Sequence, residues 1–343
     1  MTDAARVSGL VSVVVPVYNR PTMLREAIDS VLGQTYRPLE IVIVDDGSTD
    51  ETPTVIAELE QANPAVVRSI RQTNLGPGAA RETGRKAARG EYLQFLDSDD
   101  LLLPRKFELQ VAALQAEGRP STCYGRTNRV RPDGTVEGPA RETGRRLDSM
   151  FPEITVRRLW ITATPLYLSR VCELAGGWAP LRLDEDWEFE TRIACVEQRL
   201  VYVEEAVCVH RDHTGARAGA GDPLDRVRLL QQAEAQLRIH RALGQSGHPR
   251  AAREARTVAR RWFFLARRCA AVGLSDEARR LLVAARALLR NDSIAGGFDM
   301  RVFRLFASLF GWRAAGRLAS VLDRWLEGRR ARRIVSLGPE EIR

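Results

Sequence analysis

Phe95-Leu96-Asp97-Ser98-Asp99-Asp100 carries an apolar run straight into three carboxylates within four positions. Like charges this close repel one another and persist in a fold only beside a compensating cation or cationic ligand. A metal is therefore expected. The run Glu91 to Leu96 has the length and aromatic content of a strand, and open α/β sheets place ligands just beyond the carboxyl ends of their strands. Asp97 and Asp99 are hard oxygen donors suited to Mg²⁺ or Mn²⁺, ions that keep some waters and also bind phosphates. A diphosphate leaving group is the natural partner of such an ion, which acts as a Lewis acid. The competing reading makes Ser98, Asp99 and Asp100 a cap for a helix beginning near Pro104.

A second acidic turn, Asp45-Asp46-Gly47-Ser48-Thr49-Asp50, follows Ile41-Val42-Ile43-Val44. Asp46 is either an acceptor for the base or ribose of a nucleotide or a residue that shapes the turn while Asp50 caps the next helix. A third acidic group, Asp184-Glu185-Asp186, stands beside Trp187 and Phe189. A carboxylate near such bulk can gain proton affinity and serve as a general base. The plainer reading is an acidic helix start that complements the macrodipole.

The elements that must position these groups read clearly over residues 10 to 130. Leu10 to Tyr18, Leu39 to Val44, Val66 to Arg71 and Glu91 to Leu96 are expected strands, with helices over Pro21 to Leu32, Glu51 to Gln61 and Gly78 to Arg89 between them. Continuous rather than alternating hydrophobicity in the first two strands indicates burial on both faces, as in a parallel sheet with crossover helices. Ser121 to Val130 leads into a hairpin at Asp133-Gly134, so the sheet is expected to become mixed. Arg157 to Leu168 reads as a strand, followed by a helix over Ser169 to Leu174, capped by Ser169 and ended by Gly176-Gly177. Beyond the glycine-rich stretch 215 to 221, strand signals vanish and successive amphipathic helices follow. The expected division is residues 1–220 as an α/β domain and 221–343 as a helical region.

The chain has 343 residues and a net charge of +8, with lysine only at Lys86 and Lys106. An arginine-based surface suits phosphates, anionic lipid or nucleic acid. Five cysteines without Cys-x-x-Cys spacing argue against a disulfide framework and a zinc site, so a reducing cytoplasm is expected. No secretory leader is read at the start, and no apolar run reaches the ~18 to 20 residues that a membrane span needs.

Val13-Val14-Val15-Pro16-Val17-Tyr18-Asn19, Ile43 to Asp50, Asn74-Leu75-Gly76 with Ala80-Arg81, and Phe95 to Asp100 together resemble family 2 glycosyltransferases of the GT-A fold, over about residues 10 to 215. The resemblance implies a Rossmann-like, mainly parallel mixed sheet flanked by helices. It implies that Pro16, Tyr18 and Asp46 line a nucleotide pocket and that Arg81 assists donor binding. Asp97-Ser98-Asp99 would hold the sugar-nucleotide diphosphate through the divalent ion, with Asp99 as direct ligand. Gly176-Gly177-Trp178 and the Glu185-Asp186 pair resemble the family's later motif, which makes Asp186 the catalytic base. Val209 to Gly215 resembles a late histidine segment that aligns His213 with the metal or diphosphate site, although His210 is an alternative. Glu82 stands where the family commonly has asparagine.

The resemblance implies a metal-dependent inverting transfer of a sugar from a nucleotide diphosphate, a UDP-sugar, to a hydroxyl of a saccharide or lipid-linked acceptor in bacterial polysaccharide or glycoconjugate synthesis. A cytoplasmic protein at the inner membrane face is expected, touching the membrane through Phe298 to Trp312. The same periodicity also fits a helix packed on its neighbours. A sugar-nucleotide pyrophosphorylase is the second enzymatic reading, but Pro16 to Arg20 lacks the glycine-rich phosphate loop it needs. A noncatalytic module for anionic lipid or nucleic acid is the third; the arginines form no recognisable nucleic-acid motif, and no nucleic-acid partner is expected.

Overall fold

The computed structural model describes residues 6–118, 122–197, 199–212, 222–247, 252–289 and 298–323. The chain divides into two compact units, Met1–Ala218 with Ala242–His248, and Gly219–Arg241 with Pro249–Arg343.

In the first unit, strands and helices alternate as β1 (Val7–Val17), α1 (Pro21–Leu32), β2 (Leu39–Asp45), α2 (Thr52–Ala62), β3 (Val67–Arg71), α3 (Pro77–Ala87) and β4 (Gly90–Phe95). Then come β5 (Leu101–Leu102), α4 (Lys106–Glu117), β6 (Thr122–Val130), β7 (Val136–Pro139), α5 (Glu153–Val156), β8 (Leu166–Leu168), α6 (Ser169–Ala175), α7 (Glu185–Val196) and β9 (Leu200–Arg211). The sheet runs β3-β2-β1-β4-β8-β6-β9-β5, with β7 paired to β6. β3, β2, β1 and β4 are parallel neighbours, whereas β8 is antiparallel to both β4 and β6. This is a mixed, mainly parallel α/β sheet.

Both faces of the parallel strands are covered, as their unbroken hydrophobicity requires. Val11, Val13, Val15, Ile41 and Ile43 pack with Leu24, Ala27, Ile28 and Val31 of α1, while Val42 and Val44 meet Ala80 of α3 on the other face. All these side chains are fully buried, and each valine, leucine and isoleucine among them stabilises the fold by about 1.5–3 kcal/mol relative to exposure. Their role is to hold the carboxyl ends of β1, β2 and β4 side by side.

Two expectations are corrected here. The segment 157–165 is not a strand; only Leu166–Leu168 enters the sheet. Ser169 does not cap α6, because its hydroxyl donates to the Gly90 carbonyl at 2.6 Å and Leu168 holds the N-cap position.

The second unit contains most of α8 (Arg226–Gln245), then α9 (Ala252–Ala271), α10 (Ser275–Leu288) and α11 (Phe298–Phe310), and residues 312–323 are also helical. α9 buries Val258, Ala259, Trp262, Phe263, Ala266 and Cys269, a helical stripe at intervals of three and four. The Trp262 indole donates to Gln236 at 3.1 Å. Among the described residues no helix is long and apolar enough to cross a membrane.

Candidate active site

β1, β2 and β4 end together, and the site is built on the turns that follow. At the end of β2, the Asp46 backbone NH donates to the Val17 carbonyl at 2.9 Å, which sets Asp46 beside Pro16 and Tyr18. Pro16 is buried in β1 opposite Val44, and Tyr18 is 45% exposed just beyond it. Asp46 is itself buried, and its carboxylate accepts from Gln72 at 2.8 Å and from the backbone of Leu75 and Gly76 at 2.9 and 2.8 Å. Both oxygens thus anchor the turn that starts α3. Neighbouring Asp45 accepts from the Ser48 backbone and pairs with Arg71.

α3 carries Arg81 inward. Its guanidinium is 4% exposed and joins two carboxylates, Asp97 Oδ1 at 2.5 Å and Glu185 Oε1 at 2.8 Å, while lying 4.8 Å over the Trp178 ring. These partners hold Arg81 charged in spite of its burial. α3 reaches this position because Gly78 touches the segment leading to α7: a Cβ there would lie 2.2 Å from the Ala179 carbonyl oxygen. Trp178 in turn stacks on Phe189 and meets Phe95 edge to face.

Glu82, the departure from the family pattern, joins the same two segments. It accepts from the Trp178 backbone NH at 2.9 Å and pairs with Arg85 at 2.8 Å. A Cβ at Gly177 would lie 2.4 Å from its carboxylate.

Beyond β4, Asp97, Asp99 and Asp100 each offer an oxygen, all within 4.8 Å of one another. Asp97 is paired with Arg81, Asp99 with Arg20, and Asp100 with His210 Nδ1 at 3.0 Å. Ser98 is buried between them in sequence. Asp100 does not cap α4, where Arg105 holds the N-cap position. Instead, burial pushes Asp100 up to about 6, and its hydrogen bond to His210 raises the imidazole in turn. Three hard oxygen donors, one of them buried and oriented by a histidine, fit a divalent cation. His213 lies outside the described residues.

Asp184 adopts φ 57° at the N-cap of α7 and presents Glu185 and Asp186 in the first turn. Glu185 is buried; desolvation and the adjacent Asp186 push it up to about 7 against the pull of Arg81. Asp186 Oδ1 accepts from the Trp187 backbone at 2.7 Å, and Oδ2 pairs with Arg158. The structure therefore brings Asp97, Arg81, Glu185 and Asp186 into one connected chain, with Asp46 fixing the start of the helix that carries Arg81.

Arg20, Glu185 and Arg158 were not read as site residues from sequence. Arg20 directly follows the Tyr18-Asn19 motif and Glu185 precedes Asp186, so proximity was an available signal. Arg158 has none, because the apolar residues that follow it resemble a strand.

A mixed α/β sheet with acidic groups gathered beyond the ends of parallel strands is the GT-A glycosyltransferase architecture. The fold matches S. aureus TarS 1-349, solved in complex with UDP-GlcNAc, with TM-score 0.62 and 19% identity over 93% of this chain and 92% of that one. Residues 12–163 match the model for glycosyl transferase family 2. It is 45% identical over 105 residues to the uncharacterized glycosyltransferase alr2836 of Nostoc sp., a match covering 31% of this chain and 33% of that protein. It is 31% identical over 214 residues to the uncharacterized glycosyltransferase EpsJ of Bacillus subtilis, covering 60% of this chain and 61% of EpsJ. The chain thus spans about a third of the first relative's length and under two thirds of the second's.

Proposed function

We propose that the protein is an inverting, metal-dependent glycosyltransferase that moves a sugar from a nucleotide diphosphate donor to an acceptor hydroxyl. The observation that carries this reading is the convergence of Asp97 and Asp99 on one oxygen-lined site, joined through Arg81 and Glu185 to Asp186. A UDP-sugar donor is the reading favoured by the fold shared with UDP-GlcNAc-bound TarS.

Asp97 and Asp99 would hold a Mg²⁺ or Mn²⁺, which neutralises charge on the departing diphosphate. Pro16, Tyr18 and Asp46 flank the nucleotide end, with Ser98 in the acidic turn. Asp186 takes the proton from the acceptor hydroxyl. That oxygen bonds to the anomeric carbon as the bond from this carbon to the diphosphate oxygen breaks, its electron pair leaving with the nucleotide. A single displacement of this kind inverts the anomeric centre.

The test is incubation with a panel of nucleotide sugars, Mn²⁺ and candidate saccharide and lipid-linked acceptors, reading free nucleotide diphosphate. Acceptor-dependent release that is lost in Asp99→Ala and in Asp186→Asn supports the proposal; no release from any donor overturns it.

Peripheral contact with an anionic membrane at the cytoplasmic face is an additional reading for α11. Phe298, Val302, Leu305 and Leu309 form an exposed apolar stripe with exposed Arg301 and Arg304 beside it. Such a face suits an interfacial helix. Full-length protein should float with phosphatidylglycerol vesicles and lose this on joint Val302→Asp and Leu305→Asp substitution; equal flotation of the two proteins overturns the reading.

A further inference from the structure

Arg158 lies on the irregular segment after α5, and its guanidinium sits between two carboxylates one helical turn apart on α7. Nη1 pairs with Asp186 Oδ2, and Nη2 donates to Glu190 Oε1 at 3.1 Å. Glu190 is 1% exposed, and its other oxygen, Oε2, has no hydrogen-bond partner. Arg158 Nε is likewise buried without a partner. A wholly buried carboxylate thus shares one cation with the part-buried candidate base.

We propose that Arg158 positions Asp186 for proton abstraction and that Glu190, through the same guanidinium, sets the strength of that base. This inference rests on the assignment of Asp186 as the base.

The argument follows the charge. When Asp186 accepts the acceptor's proton, its negative charge disappears from the face of Arg158. With Glu190 ionised, the buried guanidinium keeps a counter-charge throughout. With Glu190 neutral, the same proton transfer strands a buried cation, and low-dielectric surroundings penalise that state. Ionised Glu190 therefore makes Asp186 the stronger base. Burial pushes the Glu190 carboxyl up to about 7, against Arg158, so the switch between the two conditions falls near neutrality.

The charged and titratable groups around the pair are few. Glu190 faces Arg158, Asp186 and Arg141, and also Tyr167 of β8. Asp186 faces Arg158, Glu185, Glu190, Arg141 and Arg81. Arg141, held below its ordinary value by burial and by Arg158, is a second cation facing both Glu190 and Asp186.

The experiment measures kcat and KM for the donor against pH in wild type, Glu190→Gln, Arg158→Gln and Asp186→Asn. Glu190→Gln leaves Arg158 wholly to Asp186; its acidic limb should move down by about one pH unit and its plateau kcat should fall about tenfold, with donor KM unchanged. Arg158→Gln removes the cation and should move the limb the other way, upward. A merely structural role for these residues lowers the amount of folded enzyme and leaves the limb in place. Limbs that coincide with wild type in both variants overturn the inference while an inactive Asp186→Asn leaves the base assignment standing. An active Asp186→Asn overturns both. If Glu190→Gln does not fold, as read by near-ultraviolet circular dichroism, the upward shift in Arg158→Gln alone decides.

Discussion

Asp97, just beyond β4, and Glu185, at the start of α7, hold opposite prongs of one guanidinium, that of Arg81. The acidic turn after β4 and the helix of the candidate base are thereby linked through a single buried cation.

Replacing Arg81 with Met should leave Asp97 and Glu185 facing each other without a counter-charge. Breaking a buried ion pair from one side costs about 3–5 kcal/mol. Urea denaturation should show a loss in that range, and an unchanged midpoint would mean that solvent replaces the guanidinium.

Asp99 offers a different expectation, because it is only part-buried and its partner Arg20 is also part-exposed. Asp99→Ala should keep the wild-type midpoint to within about 1 kcal/mol, as for most exposed pairs. Calorimetric titration of Mn²⁺ with UDP should show binding weakened by tenfold or more. Wild-type affinity in the variant would remove Asp99 from the ion site.

Stability should fall as pH rises from 6 to 8, and Glu190 should supply part of the fall. Its ordinary value is 4.5, and burial raises it to about 7 in the fold. The native state therefore holds a proton that the unfolded chain has lost. The associated stability is complete below about 4.5 and disappears as pH passes 7. Unfolding free energies from urea titration at the two pH values should differ by on the order of 1 kcal/mol more in wild type than in Glu190→Gln. Equal differences would show that Glu190 does not titrate in this window.

Gly78→Ala should be among the most damaging small changes near the site. The added methyl would sit 2.2 Å from the Ala179 carbonyl oxygen, a backbone atom. α3 must then move, and overpacking of this kind costs about 1–3 kcal/mol. Donor KM should rise along with the loss of stability, since Arg81 travels with the helix. A wild-type KM would show that α3 and the donor site are independent.

The parallel half of the sheet was legible because its signals are local. Buried-strand runs, a proline at the start of each of α1 to α3 and the acidic turns lie within a few residues of the elements they define, and α1 falls on Pro21–Leu32 as read. Asp97, Asp99 and Asp186 stand in motifs that are local in the same way. What stayed hidden depends on contacts distant in sequence. The apolar residues Leu159, Trp160 and Ile161 suggested a strand, but they are buried in an irregular segment that turns Arg158 toward α7. The partner of Asp100 is equally remote, since β9 supplies His210, 110 residues further on. Charge pairing across such separations leaves no periodicity in a single sequence.

Glu82 closes against Gly177 and the Trp178 backbone NH. Asparagine at position 82 would carry its acceptor one methylene short of that NH, and a side chain at position 177 would push the Glu82 carboxylate aside. The tie between α3 and the segment before α7 is therefore open to loss from either position.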